Sequence, residues 1–266
     1  MSYFEALLYG FVQGITEYLP ISSSAHLILL PKFLHQEDPG LAFDVFLHLG
    51  TLAATLIYFW RDWAELLRPS QIISSLKQKK GVSLRALVIA TVPALVMGAL
   101  LHSYIKDVFR GEGILVVTLT VGGIMLYLSD RFARGERSTS EVKSWDALIV
   151  GLFQCLALVP GMSRSGSTMS GGRLLGLDRS SAARFSFLMS APVTAAAVVF
   201  ELRHFNELFQ GAIGMGPLLV AGVSSFVFGL VAIDGLLRIL KKVSFLSFAF
   251  YRVGLSVVIY LVFRPF

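Results

Sequence analysis

The sequence predicts an all-α polytopic membrane protein made of two inverted-topology repeats. Each repeat is a re-entrant broken-helix pair followed by three transmembrane helices, giving six full spans. Three observations predict this. The 266-residue chain is 55% hydrophobic and only 15% charged, with a mean hydropathy of +0.71, a composition foreign to soluble globular domains. Six apolar runs, at about 41–60, 84–104, 113–130, 182–202, 216–237 and 246–263, come close to the ~20 residues that a helix needs to cross the hydrocarbon core. The chain also repeats itself. Gly10-Phe11-Val12-Gln13, followed by Pro20 and serines, answers to Gly151-Leu152-Phe153-Gln154, followed by Pro160 and serines. Leu84 to Leu100 matches Pro217 to Val231 in character, and Ile114 to Tyr127 matches Ser247 to Tyr260. Residues 1–266 therefore read as a single integral membrane domain, with repeat one at about 1–134 and repeat two at about 144–266.

The first segment is apolar but carries Glu5 where a signal peptide has basic residues. No small-residue cleavage site precedes Glu17, so the segment is expected to stay in the protein. Pro20 lacks an amide proton and disfavours helix at Leu19, which should end the first helix there. Ser22, Ser23 or Ser24 can cap a second half-helix. Three spans follow, then the polar joint Asp130 to Lys143, then a second interrupted segment around Pro160 and three more spans. If each interrupted segment enters and leaves on one side, three crossings per repeat invert the second repeat relative to the first. The alternative is eight spans, two of them with Pro and several serines at the centre. The re-entrant reading is preferred because irregular backbone is tolerated at membrane depth where protein or a polar cavity surrounds it.

Charge sets the orientation. With the N-terminus outside, the inner loops carry Arg61, Arg68, Lys77, Lys79, Lys80 and Arg85; Arg131, Arg134, Arg137 and Lys143; Arg173, Arg179 and Arg184; and Arg238, Lys241 and Lys242. These are 16 of the 23 basic residues, against Lys32, Lys106, Arg110, Arg203 and Arg264 outside and Arg164 and Arg252 at membrane depth. The excess inside supports N- and C-termini on the outer face. It also accounts for the net charge of +6 without nucleic acid, since the basic residues lie in short stretches between apolar spans. Cys155 is the only cysteine, which excludes an intramolecular disulfide and a Cys-cluster metal site; it is expected to be a small buried residue.

The two interrupted segments concentrate the polar chemistry. The free amides at the start of the second half-helix form an anion site aided by the helix dipole, suited to phosphate. His26 follows Ser23 by three residues and Ser22 by four, which places them on one helical face and puts a hydroxyl and the imidazole within hydrogen-bond reach. Taken alone, the serines suit capping and close membrane packing equally well. Glu17 shifts the balance, because a carboxylate at membrane depth costs roughly 2.5 kcal/mol or more unless paired. Arg164, in the run Pro160-Gly161-Met162-Ser163-Arg164-Ser165-Gly166-Ser167-Thr168, is its expected partner if the two loop tips meet near the midplane. A purely structural ion pair remains open at this point. Yet a guanidinium among Ser163, Ser165 and Thr168 also presents a fork suited to phosphate oxygens, and two facing helix N-termini repel unless an anion lies between them. Asp44 and Arg252, each near a span end, read as structural pairs or as supports behind the site.

These two segments resemble the undecaprenyl-pyrophosphate phosphatases of bacteria, the bacitracin-resistance protein family. The first motif of that family has Glu or Gln four residues before a Glu, here Gln13 and Glu17, followed by Leu-Pro-Ile-Ser-Ser-Ser-Ala-His26; the second is matched by Pro160, Gly161, Ser163, Arg164, Ser165 and Thr168. The resemblance covers the whole chain. It implies removal of the terminal phosphate from a polyprenyl diphosphate lipid, regenerating the carrier for peptidoglycan and other envelope polymers and conferring bacitracin resistance. It further implies a multi-pass protein of the bacterial cytoplasmic membrane with its active site opening outward, and it leaves a homodimer open. It places Glu17, Ser23, His26 and Arg164 at catalytic positions, with Gln13, Ser22, Ser24, Ser163, Ser165 and Thr168 around the substrate. A divalent cation, magnesium or calcium, is implied with Glu17 as a ligand; Gln13 is neutral where some members carry a glutamate, so magnesium would rest largely on the diphosphate and water. Ser23, His26 and water activated by Glu17 all stand as attacking groups. A secondary transporter or flippase of a lipid phosphate or anion is the rival reading, because inverted repeats with broken helices also build transporters.

Overall fold

Pro20 and the serines after it break the chain where expected. In the computed structural model, which describes residues 1–69, 82–107, 111–133, 135–210 and 213–265, α1 (Tyr3–Tyr18) ends at Leu19 in extended backbone. Helix α2 (Ser23–Phe33) then starts from Ser22, whose side chain accepts the Ala25 amide. Helices α3 (Leu41–Tyr58), α4 (Trp60–Leu66), α5 (Leu84–Asp107) and α6 (Glu112–Phe132) complete the first half. The second half holds α7 (Ser144–Leu156), α8 (Arg164–Leu174), α9 (Arg179–Gln210), α10 (Met215–Ile239) and α11 (Leu246–Phe263). Lys77, Lys79, Lys80, Arg110 and Arg134 of the charge reading lie outside the described residues.

Among the described residues, six helices are long and apolar enough to cross a membrane: Leu41–Tyr58, Leu84–Leu101, Glu112–Phe132, Arg179–Glu201, Met215–Ile239 and Leu246–Phe263. They coincide with the six predicted runs to within a few residues at each end. By contrast α1, α2, α7 and α8, with 16, 11, 13 and 11 residues, are each too short for the ~30 Å core at ~1.5 Å per residue. They pair as hairpins. Gln36, beyond α2, donates to Glu5 in the first turn of α1 at 2.5 Å, so both ends of the first hairpin lie together. Arg137 does the same for the second, binding Asp146 at the start of α7 and the Leu175 carbonyl at the end of α8, at 2.5 and 2.7 Å. Three spans separate the hairpins, so they open on opposite faces.

The halves interlock by exchange. Helix α1 packs chiefly on α10 of the second half, and α7 packs chiefly on α5 of the first. Close approach requires glycine at the matched positions: a Cβ on Gly10 would lie 2.3 Å from the Ala221 carbonyl oxygen, and one on Gly151 would lie 2.5 Å from that of Ala90. An aromatic core around Tyr18, Phe59, Phe185, Phe187 and Phe245 packs with residues of both hairpins, Tyr18 of the first and Val150 and Met169 of the second among them. Cys155 departs from expectation. It is only partly buried, because it sits near the exposed end of short α7, where its thiol donates to the Gly151 carbonyl at 3.5 Å.

Candidate active site

The hairpin tips meet. The Gly161 amide donates to Ser24 Oγ at 3.3 Å, and Ser165 Oγ donates to the Leu19 carbonyl at 2.9 Å. Ser22 and Ser163 are equivalent caps. Both have positive φ, at 76° and 67°, both accept an amide three residues on, and each hydroxyl lies 3.1–3.2 Å from the serine two residues later. This equivalence sets the repeat register at a constant offset of 141 residues, from Gln13 and Gln154 through Ser22 and Ser163. Pro160 then matches Leu19, and Pro20 matches Gly161, so the two prolines stand one position out of step within a register that the Gly10-to-Gln13 and Gly151-to-Gln154 runs already share.

Glu17 is the centre of the site. It is buried, and its two carboxylate oxygens are divided between the hairpins: Oε1 accepts from Arg164 Nη2 at 2.6 Å, and Oε2 accepts from Ser23 Oγ at 2.6 Å and from Gln13 Nε2 at 3.2 Å. Ser23 and Arg164 occupy equivalent positions, the first residue of each half-helix. The predicted Glu17–Arg164 pair is therefore present and placed at the junction of two helix N-termini. First-turn amides have no acceptor within their own helix. Those of Ala25 and Gly166 are capped, while for those of Ser23, Ser24, Arg164 and Ser165 no acceptor stands among the described residues. Together with Arg164 they form a double cradle for an anion.

His26 stands apart from this cluster. Its Nδ1 donates to the Ser22 carbonyl at 2.7 Å, which leaves Nε2 to accept from the Tyr251 hydroxyl at 2.7 Å, and the two rings stack 5.7 Å apart. The expected serine–imidazole hydrogen bond is replaced, because a main-chain carbonyl one turn back reaches the imidazole and Glu17 takes the Ser23 hydroxyl. The remaining predicted hydroxyls hold the tips together. Thr168 donates to the Arg164 carbonyl at 2.8 Å and lies 2.6 Å from Ser186 Oγ, while Ser22, Ser24, Ser163 and Ser165 make the caps and cross-tip bonds described above.

Two residues were missed, and the two roles open for a third are narrowed to one. His48 of α3 brings Nε2 within 3.4 Å of Glu17 Oε2 while its Nδ1 donates to the Asp44 carbonyl at 2.7 Å. The available signal was an ionisable side chain inside a span. Tyr251 gave no signal. Arg252, expected near a span end as a structural pair or as a support behind the site, lies fully buried a third of the way along α11, meets no carboxylate among the described residues and hydrogen-bonds to main-chain carbonyls behind the tips, as detailed below. A cavity of about 160 Å³ adjoins the cluster, lined by Ser24, Leu27, Asp44, His48, Leu158 and Pro160 among others.

The donor set does not fit a metal caged by protein. Among the described residues no three His, Cys, Asp or Glu side chains gather as a metal-binding group. Both Glu17 oxygens are already taken by Arg164, Ser23, Gln13 and His48.

Comparison with known proteins follows the same outline. The family described as bacitracin resistance protein BacA matches residues 6–258. Curated relatives named undecaprenyl-diphosphatase include one from Gemmatimonas aurantiaca, 45% identical over 98% of this chain and 97% of the relative. Another, from Moorella thermoacetica, is 43% identical over 99% and 98%, and one from Idiomarina loihiensis is 41% identical over 99% and 100%.

Proposed function

Because the chain belongs to the bacitracin resistance protein family, we propose that it hydrolyses undecaprenyl diphosphate to undecaprenyl phosphate and inorganic phosphate. That reaction recycles the lipid carrier for peptidoglycan and other envelope polymers, and bacitracin resistance follows from it. The observation that carries the reading is Glu17 joining Ser23 of one hairpin to Arg164 of the other, both at 2.6 Å, between two helix N-termini.

The diphosphate settles between the tips with the prenyl chain left in lipid. Ser23 Oγ attacks the terminal phosphorus and its proton passes to Glu17. The bond from that phosphorus to the bridging oxygen breaks, and undecaprenyl phosphate departs with the proton from Glu17. Water then attacks the phosphoserine, Glu17 takes a water proton and returns it to Ser23, and phosphate leaves. Arg164 and the first-turn amides bear the charge on the transferring group, which is the main catalytic task in phosphoryl transfer. The contact with Glu17 supports that carboxylate as the base for Ser23 in preference to His26. Magnesium or calcium, in this reading, arrives on the diphosphate.

We place the protein in the bacterial cytoplasmic membrane with both termini outside. The first hairpin opens on the N-terminal face, and the cavity reaches the first turn of α3 on that side through Leu41 and Asp44. The deciding experiment is phosphate release from undecaprenyl diphosphate by detergent-solubilised protein, where no gradient exists. Turnover is expected; its absence would favour the lipid-phosphate carrier. A phosphoenzyme labelled anywhere but Ser23 would overturn the nucleophile.

A further inference from the structure

Arg252 is the largest of the fully buried side chains, and it carries a charge that no carboxylate meets among the described residues. Its guanidinium is bound entirely by main-chain oxygens. Nη1 donates to the Pro20 carbonyl at 3.4 Å, and Nη2 donates to Gly161 at 2.9 Å, Met162 at 3.0 Å and Thr118 at 3.3 Å; Nε donates to Leu119 at 3.4 Å. Pro20 and Gly161 are equivalent positions in the two repeats. One side chain of α11 therefore holds the breaks of both hairpins against α6, at the pseudo-symmetric junction of the molecule.

The surroundings are cut to this guanidinium. A Cβ on Gly122 of α6 would sit 1.9 Å from Nη2, and one on Gly166, in the first turn of α8, would sit 2.8 Å from Nη1. Burying an unpaired charge is costly, the carbonyls around Nε, Nη1 and Nη2 offset part of that cost, and Arg supplies a rigid planar fork that Lys lacks. The carbonyls it draws in are one or two peptides from Ser22 and Ser163, the caps that begin the half-helices bearing Ser23 and Arg164.

We infer that Arg252 is a positioning residue that sets the spacing of Ser23 and Arg164 across Glu17 by clamping the carbonyls of both hairpin breaks. This inference rests on the phosphatase reading for its consequence in catalysis, but not for its geometry.

The test uses purified full-length protein and two variants. Arg252→Gln removes the fork and its charge, while Gly122→Ala keeps the charge and displaces the fork. Misplacement of reacting groups by ~1 Å costs about 10²-fold, so each variant is expected to lose about that factor in kcat on undecaprenyl diphosphate. KM should stay within about 3-fold, because binding by Arg164 and the amides is retained. The double variant should be no worse than Arg252→Gln, since the clash at position 122 needs the guanidinium. Hydrogen exchange provides a readout free of turnover: the hydrogen-bonded amides of Ile21 and Ala25 in one hairpin and of Gly161, Met162 and Gly166 in the other should exchange faster in both variants, with those of α10 unchanged. Wild-type kcat in Arg252→Gln, or faster exchange in one hairpin only, would overturn the inference. So would exchange rising throughout α10, which would mark a merely structural residue. If Arg252→Gln fails to fold, Gly122→Ala is judged by the same two readouts. If wild-type protein releases no phosphate while exchange behaves as described, the phosphatase reading fails and the clamp stands.

Discussion

The two re-entrant hairpins share a frame and divide the chemistry. At an offset of 141 residues, Gly10 and Gly151, Gln13 and Gln154, Ser22 and Ser163, and Ser24 and Ser165 are identical. Each glycine and serine pair performs the same task in both halves: close packing on a span of the other repeat, capping a half-helix, or joining the tips. Gln13 and Gln154 even leave the same atom, Oε1, buried without a partner among the described residues. Where the hairpins differ, the reactive groups appear: Glu17 against Leu158, Ser23 against Arg164, His26 against Ser167. Burial follows suit. Helix α8 is buried from Ser165 through Arg173, whereas Ser23, Ser24 and His26 of α2 remain partly accessible. The retained glycine and serine pairs are scaffold, and diverged pairs are the candidates for catalysis.

That division can be broken most severely at Glu17. Replacing it by its counterpart, Glu17→Leu, strands Arg164 without its anion, so activity should vanish and stability fall by about 3–5 kcal/mol, measured by thermal unfolding in detergent. Ser23→Ala should lower kcat by roughly 10²- to 10⁴-fold and abolish a trapped phosphoenzyme, with His26→Gln much milder because the imidazole does not touch Ser23. Arg164→Lys keeps the charge but loses the fork, and a kcat loss of about 10²-fold is expected from steady-state phosphate release. The scaffold pairs should behave differently. Gly10→Ala and Gly151→Ala should each cost about 1–3 kcal/mol by overpacking, in equal measure, with the surviving folded protein near wild-type in kcat. Smallest, Ser24→Ala and Ser165→Ala should each cost about 1 kcal/mol for one cross-tip hydrogen bond. A Gly10→Ala variant that stayed stable but lost kcat would erase the distinction.

Much of this was legible in the chain. Six spans followed from apolar length, and the break at Pro20 followed from a missing amide and a disfavoured helix at Leu19. The Glu17–Arg164 pair followed from the difficulty of leaving either charge alone in a membrane. The repeat was legible in the matched runs Gly10 to Gln13 and Gly151 to Gln154, which lie at the same offset of 141 residues as the caps Ser22 and Ser163, although the prolines that follow them are one position out of step.

Local sequence determined where helices begin, end and run apolar, because capping, proline stereochemistry and hydrocarbon thickness act on a few consecutive residues. It also determined which polar groups could not stand unpaired. Only the tertiary structure decided who pairs with whom. Helical spacing puts Ser23 and His26 on one face, but it does not say which way a rotamer turns when competing partners are near. Here Glu17 claims the Ser23 hydroxyl, Ser22 and Tyr251 claim His26, and His48 joins from another span. The Arg252 clamp, which spans 232 residues to Pro20, exists only because folding brings two inverted breaks and α6 around one guanidinium.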